Sequence, residues 1–120
     1  EVEEMTSSNS NTEELAAAHC APCAEGSPAM DAGDAGELLE ALDGWSIQDG
    51  HHLQRSWKFK NFVAALDFVN RVGEVAEAEQ HHPDITLAWG RVEVCVHTHT
   101  VGGLSRNDFI LAARIDQLRG

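Results

Sequence analysis

Cations are scarce in this chain: 8 Lys plus Arg stand against 20 Asp plus Glu among 120 residues, a formal charge of -12. An acidic excess of that size repels phosphate backbones and anionic membrane surfaces, so direct nucleic-acid binding is not expected. The nearest approach to a basic strip, Arg55, Lys58 and Lys60, is short and reads as the solvated face of a strand. Long apolar runs are missing as well. No stretch approaches the roughly 18 to 20 residues that span a bilayer, and no basic start with an apolar centre marks a signal peptide. Three cysteines, Cys20, Cys23 and Cys95, are too few and too unevenly placed for the disulfide framework of a small secreted domain. These shortages point to a soluble intracellular protein with no membrane association. The chain begins with Glu1 rather than Met, so a mitochondrion or plastid, reached through a removed transit segment, is as compatible as the cytoplasm.

Internal repeats are also absent, and the length allows one domain. The first twelve residues are polar and aperiodic, with too few apolar side chains to offset the entropy of ordering them. Pro22, Gly26 and Pro28 then punctuate the chain. The expected organisation is a flexible acidic extension over residues 1–33 and a folded domain over 34–120. A core drawn from only about ninety residues buries a modest share of its surface, which favours association into a homodimer or homotetramer.

Within that domain, Asp34 and Glu37 resemble a capping box, Leu38, Leu39 and Leu42 give a short helix an apolar side, and Gly44 ends it. Trp45 and Ile47, an Asp49-Gly50 turn, and Leu53 to Phe59 make a hairpin. Asn61 is a candidate N-cap for a longer helix whose apolar stripe is Phe62, Leu66, Val69, Val72 and Ala76. A second strand pair follows, about Thr86 to Ala88 and Arg91 to His99, with the reversal near Trp89-Gly90. In its second strand Val92, Val94 and Val96 share one face, and Glu93, Cys95, His97 and His99 the other, because side chains alternate with period two. Gly102 and Gly103 permit a turn, Ser105 or Asn107 starts a last helix, and Phe109, Ile110, Ala113, Ile115 and Leu118 are its core candidates. The order α-β-β-α-β-β-α predicts an α+β fold, a four-stranded antiparallel sheet with helices packed on one face.

Seven histidines are present, and their grouping carries the chemical signal. Imidazole exchanges protons near neutral pH, so His81 and His82, at a helix exit beside Pro83, and His99, at a strand end before a glycine turn, are acid/base candidates. His97 reads as an exposed or interface residue, and His51 and His52 as solvated hairpin residues. Cys20-x-x-Cys23 has a spacing used by metal sites, but no second such pair completes a coordination shell. A mobile reduced pair is the expectation there, with no metal.

Two signatures lie around the histidines: Glu77-x-x-x-His81-His82-Pro83 and Thr98-His99-x-x-Gly102-Gly103-Leu104-x-x-x-Asp108. In order and spacing they resemble the pterin-4a-carbinolamine dehydratase family, and the resemblance runs from about residue 35 to 118. Cys20-Ala21-Pro22-Cys23 is similar to an extension of plant and algal members. The resemblance implies dehydration of a 4a-hydroxytetrahydropterin, such as 4a-hydroxytetrahydrobiopterin, to a quinonoid dihydropterin and water, in tetrahydropterin recycling. It assigns His81 and His99 to acid/base work and His82 to catalysis and to orienting the pterin. It places Trp45, Glu77, Pro83 and Asp108 as substrate-binding or pocket-shaping residues, with Trp45 covering the flat ring. Helix capping competes with that role at Asp108. The elimination needs no metal or redox cofactor. Gly90 stands where many members have Asn, and Gln80 replaces an acidic residue; neither departure removes one of the three histidines. Some animal members also act as dimerisation partners of a transcription factor, so a protein-binding role is the alternative.

Overall fold

The structure, a computed structural model, describes residues 13–23 and 26–119. Four strands form one antiparallel sheet: β1 (Ser46–Gln48), β2 (His52–Lys58), β3 (Asp84–Ala88) and β4 (Arg91–Val96). Their spatial order is β1-β2-β4-β3, so the two hairpins join through the central pair β2 and β4. Register there matches Leu53 with Val96, Arg55 with Val94 and Trp57 with Val92. Each pair on the covered face is therefore apolar on at least one side. The first hairpin turns through Asp49 and Gly50, both in the left-handed region with φ of 56° and 63°. In the second, a Cβ on Gly90 would come within 3.0 Å of the Phe59 carbonyl oxygen, so the turn favours the smallest residue.

The helices are α1 (residues 13–17), α2 (Ala32–Leu39), α3 (Phe62–Glu79) and α4 (Arg106–Arg119). Val92, Val94 and Val96 are fully buried, as their alternation predicts, beneath α3 and α4. Sequestering each such side chain contributes about 1.5–3 kcal/mol. Asn61 caps α3, its side chain accepting from the Ala64 N–H at 2.8 Å. The α3 stripe is rotated from the expected one. Ala65, Phe68, Val72, Ala76 and Glu79 are buried, whereas Phe62 and Leu66 are exposed along with Val63. The large ring of Phe68 fills the space against Trp57 and Phe59, at centroid distances of 4.9 and 5.2 Å, and fixes which side faces the sheet.

Three expected boundaries move. α2 is capped by Asp31, which accepts from the Asp34 N–H at 2.8 Å, so the helix begins before the expected capping box. β4 ends at Val96; beyond it Thr98 makes a single bridge to Gly103, and His99–Val101 form a 3-10 turn instead of continuing the strand. The folded unit also starts well before residue 34. Leu15 and Ala16 belong to the core, and residues 18–21 are hydrogen-bonded to α3 and α4. Two small patches of apolar side chain in a polar stretch were enough because α4 offers them a nearly all-round apolar surface, with Phe109, Ile110, Leu111, Ala112 and Ala113 all buried.

Candidate active site

Three chain reversals converge on one side of the molecule. The first is the exit of α3, where the Gln80 N–H donates to the Glu77 carbonyl and the His81 N–H to that of Ala76. These are the two bonds of a Schellman motif, with Gln80 left-handed at φ 55°. The sharp turn aims His81 back toward the body of the protein while His82 stays at the surface. The second is the exit of β4, where the Thr98–Gly103 bridge closes a short loop carrying His99. The third is the start of α4. Ser105 is its N-cap: the Ser105 hydroxyl accepts from the Asn107 N–H at 3.2 Å, and the Asp108 carboxylate accepts from the Ser105 N–H at 2.8 Å. The Asp108 bond is one half of a capping box, while the Ser105 hydroxyl takes the N2 rather than the N3 N–H.

Asp108 has no solvent exposure and does more than cap. Its Oδ2 also accepts from the Thr98 hydroxyl at 2.9 Å, and its Oδ1 lies 2.7 Å from His81 Nε2. A carboxylate only accepts, so Nε2 of His81 carries the proton and Nδ1 keeps the free lone pair. One buried acid thus fixes the tautomer and orientation of an imidazole and provides a counter-charge when that ring takes a second proton. His82 is tied similarly, Nε2 donating to Glu77 at 2.5 Å, but both partners are solvent-exposed and the pair contributes little to stability.

His81, His82 and His99 line one cavity of about 650 Å³, together with His97, Thr98, Thr100, Asn107 and Ala78–Gln80. Its remaining wall comes from His19, Cys20, Ala21, Pro22 and Cys23. The His97 ring packs between those of His99 and His51, at centroid distances of 4.5 and 4.7 Å. Burial, and then the two neighbouring imidazoles, push His97 below the usual histidine range, against the opposing pull of Asp108 and Asp84. Burial, with Glu79 and Asp108 nearby, raises the Cys20 thiol to about 12, so it is not a nucleophile at neutral pH. Cys20, Cys23 and Cys95 are free, and among the described residues no group of three or more His, Cys, Asp or Glu side chains is arranged to hold a metal ion.

Residues 28–118 match the family model described as Pterin 4 alpha carbinolamine dehydratase. The chain belongs to that family. Over 105 residues it is 50% identical to a relative from Rubrobacter xylanophilus carrying the family name, a match that covers 88% of this chain and 98% of the relative. A relative from Halorhodospira halophila is 51% identical over 100 residues, covering 82% and 92%. Among solved structures, the Brucella melitensis protein described as a transcriptional coactivator/pterin dehydratase superposes with a TM-score of 0.73 at 34% identity. It covers 77% of this chain and 99% of its own. A pterin dehydratase-like RuBisCO assembly factor of the alpha-carboxysome shares the fold, with a TM-score of 0.56 at 22% identity.

Of the residues that the family resemblance singles out, the structure brings His81, His82 and His99 to the cavity. Glu77 and Asp108 stand behind His82 and His81, one hydrogen bond removed. Pro83 links His82 to β3 and is not among the lining residues. Trp45 departs from expectation. It is buried in the core, edge-on to Trp57 at 5.6 Å, and its indole N–H donates to both Asp116 oxygens at 2.9 and 3.0 Å. It lines no part of the cavity, because Asp116 and the Arg55 guanidinium, 3.0 Å from that carboxylate, hold it beneath the sheet. His97 and His51, expected at the solvent, are in ring contact beside His99, and Cys20 and Cys23, expected to be mobile, are packed against Asn107. Sequence reasoning gave Glu79 no role and Asn107 only a place at the start of the last helix. Glu79 is one of several glutamates on α3, and only its 8% exposure distinguishes it.

Proposed function

We propose that this protein is a hydro-lyase that dehydrates a 4a-hydroxytetrahydropterin, such as 4a-hydroxytetrahydrobiopterin, to the quinonoid dihydropterin and water. The observation that carries this reading is the convergence of His81, His82 and His99 on one cavity, with His81 backed by the fully buried Asp108, in a member of this family. The elimination is redox-neutral. It requires a proton delivered to the departing 4a-hydroxyl and a proton accepted from the ring, and two imidazoles, one donating and one accepting, supply both.

His81 and His99 form that acid/base pair. The tautomer imposed by Asp108 leaves His81 with one nitrogen free to exchange a proton, and the exposed His99 exchanges readily with solvent. His82, anchored by Glu77 at the rim, orients the pterin and assists the proton transfers. Pro83 shapes the segment through its fixed φ. A homodimer or homotetramer is supported by the exposed apolar row Phe62, Val63 and Leu66 on α3, which sedimentation will report. The formal charge of -12 supports the absence of direct nucleic-acid binding. No described helix is long and apolar enough to cross a membrane.

The test is the rate at which freshly generated 4a-hydroxytetrahydropterin is dehydrated by the wild type and by His99→Ala. Acceleration by the wild type that is lost in a folded variant supports the assignment. No acceleration by folded wild type refutes it.

A further inference from the structure

Glu79 is an expensive residue in its position. It lies on the inward face of α3 with its side chain 5% exposed, and an ionised carboxylate removed from water is tolerated only where it is paired and hydrogen-bonded. Each of its partners serves one purpose. Oε1 accepts from the Cys20 N–H at 2.7 Å, Oε2 accepts from His19 Nδ1 at 2.9 Å, and Arg114 Nε is 3.6 Å away. Arg114 itself donates from Nε and Nη2 to the Ala18 carbonyl at 2.9 and 2.6 Å. Asn107, in the first turn of α4, imitates a strand: it accepts from the Ala21 N–H at 2.9 Å and donates to the Ala21 carbonyl at 2.6 Å. Three side chains from two helices are thus committed to the backbone of residues 18–21. Leu15 and Ala16 anchor the same segment in the core.

Such pinning is more than a mobile extension needs, and the segment it fixes is the one that lines the cavity from His19 to Cys23. We propose that residues 19–23 are a wall of the pterin pocket, and that Glu79, Asn107 and Arg114 are positioning residues that hold this wall and so set the affinity for the pterin. The proposal rests on the pterin reading of the cavity. The wall presents Ala21 and Pro22 beside His19, whose Nδ1 is committed to Glu79, and no wall residue is given a proton transfer in the elimination. Its contacts are therefore made equally to the bound substrate and to the transition state. Interactions of that kind appear in KM and not in kcat.

The experiment compares wild type, Arg114→Ala and Glu79→Gln in two measurements. One is steady-state dehydration of 4a-hydroxytetrahydropterin. The other is equilibrium binding of 7,8-dihydrobiopterin, a pterin without the 4a-hydroxyl, which cannot lose water. We expect the point variants to raise KM, and the Kd of 7,8-dihydrobiopterin, by about tenfold while kcat stays within about twofold. Arg114→Lys, which keeps a donor for the Ala18 carbonyl, is expected to restore part of the loss. A purely structural role would instead reduce the active fraction, lowering apparent kcat at unchanged KM, and that result overturns the proposal. Unchanged KM and Kd in folded Arg114→Ala and Glu79→Gln overturn it as well. Failure of the wild type to dehydrate the substrate refutes the activity and leaves the wall to be decided by 7,8-dihydrobiopterin binding alone; no binding by the wild type overturns both.

Discussion

Replacing Asp108 by Asn separates the two tasks of this buried acid. In the wild type its oxygens accept from His81 Nε2, the Thr98 hydroxyl and the Ser105 N–H, at 2.7, 2.9 and 2.8 Å. The amide introduced by Asp108→Asn keeps one oxygen, which can face Thr98 and Ser105 and preserve the helix cap. Its NH2 group then faces His81, which must present a lone pair at Nε2 and move its proton to Nδ1, the nitrogen that Asp108 had left free. The counter-charge disappears at the same time. A hydrogen bond to a charged group contributes about 1.5–3 kcal/mol, and at 1.36 kcal/mol per tenfold in rate the loss amounts to roughly ten- to a hundredfold in kcat. Stability should fall by only about 1 kcal/mol, a Tm decrease of about 4–8 °C for a domain of this size. Asp108→Ala is the control: it removes the acceptor shared by buried Thr98 and part-buried His81 and Ser105, at about 1–3 kcal/mol for each donor left unsatisfied, and should compromise folding itself. The assay is initial-rate dehydration from pH 5 to 9, with circular-dichroism melts of the same samples. A folded Asp108→Asn protein that turns over at the wild-type rate would refute the pairing of His81 with Asp108 as catalytic machinery.

Other perturbations test neighbouring parts of the structure. Trp45→Phe removes the N–H shared by the Asp116 oxygens and part of the core volume; it should cost about 1–3 kcal/mol in urea unfolding with KM within about twofold of wild type, whereas a large KM increase in folded protein would restore Trp45 to the pterin site. His97→Phe keeps a ring between His51 and His99 but removes a titrating group. The native His97 lies below its unfolded value of 6.5, so the unfolded chain binds more protons as pH falls past 6.5, and stability present above that pH is lost down through the native value. The variant should therefore show a smaller drop in Tm between pH 8 and pH 5 than wild type, and an equal drop would count against the ring cluster formed with His51 and His99 in the fields of Asp84 and Asp108. Asn61→Ala removes the α3 cap bond to the Ala64 N–H and should lower stability by about 1 kcal/mol, read as a shift in urea midpoint at constant m-value.

How far the sequence carries depends on the distance over which each determinant acts. Alternation at Val92, Val94 and Val96 is a property of one strand, the Asn61 cap of one helical turn, and the Asp49-Gly50 reversal of one hairpin; all are present in the structure. The joining of the hairpins through β2 and β4 is not local. Alternation at Leu53 and Trp57 gives the buried face but not which strand pairs alongside it. The rotated stripe of α3 has the same origin: Phe62 and Leu66 fit helical spacing as well as Ala65 and Phe68 do, and the contact of Phe68 with Trp57 decides between them.

The site divides along the same line. His81, His82 and His99 were legible because local reversals, a Schellman turn and a bridged loop, carry their side chains to one place, and each reversal is written in consecutive residues. What makes one of these imidazoles different from the other two is a long-range fact. The part-buried His81 ring is hydrogen-bonded to Asp108, 27 residues away, and that aspartate is available only because the same carboxylate closes the cap of α4. A capping acid at N3 is ordinary, but here Thr98 satisfies the second half of Oδ2 from the end of β4, so that Oδ1 remains for His81. Helix start, strand end and the His81 imidazole thus share one buried carboxylate. A change at Thr98 or Ser105, neither of which carries a titrating group, should reach the rate through the orientation of Asp108.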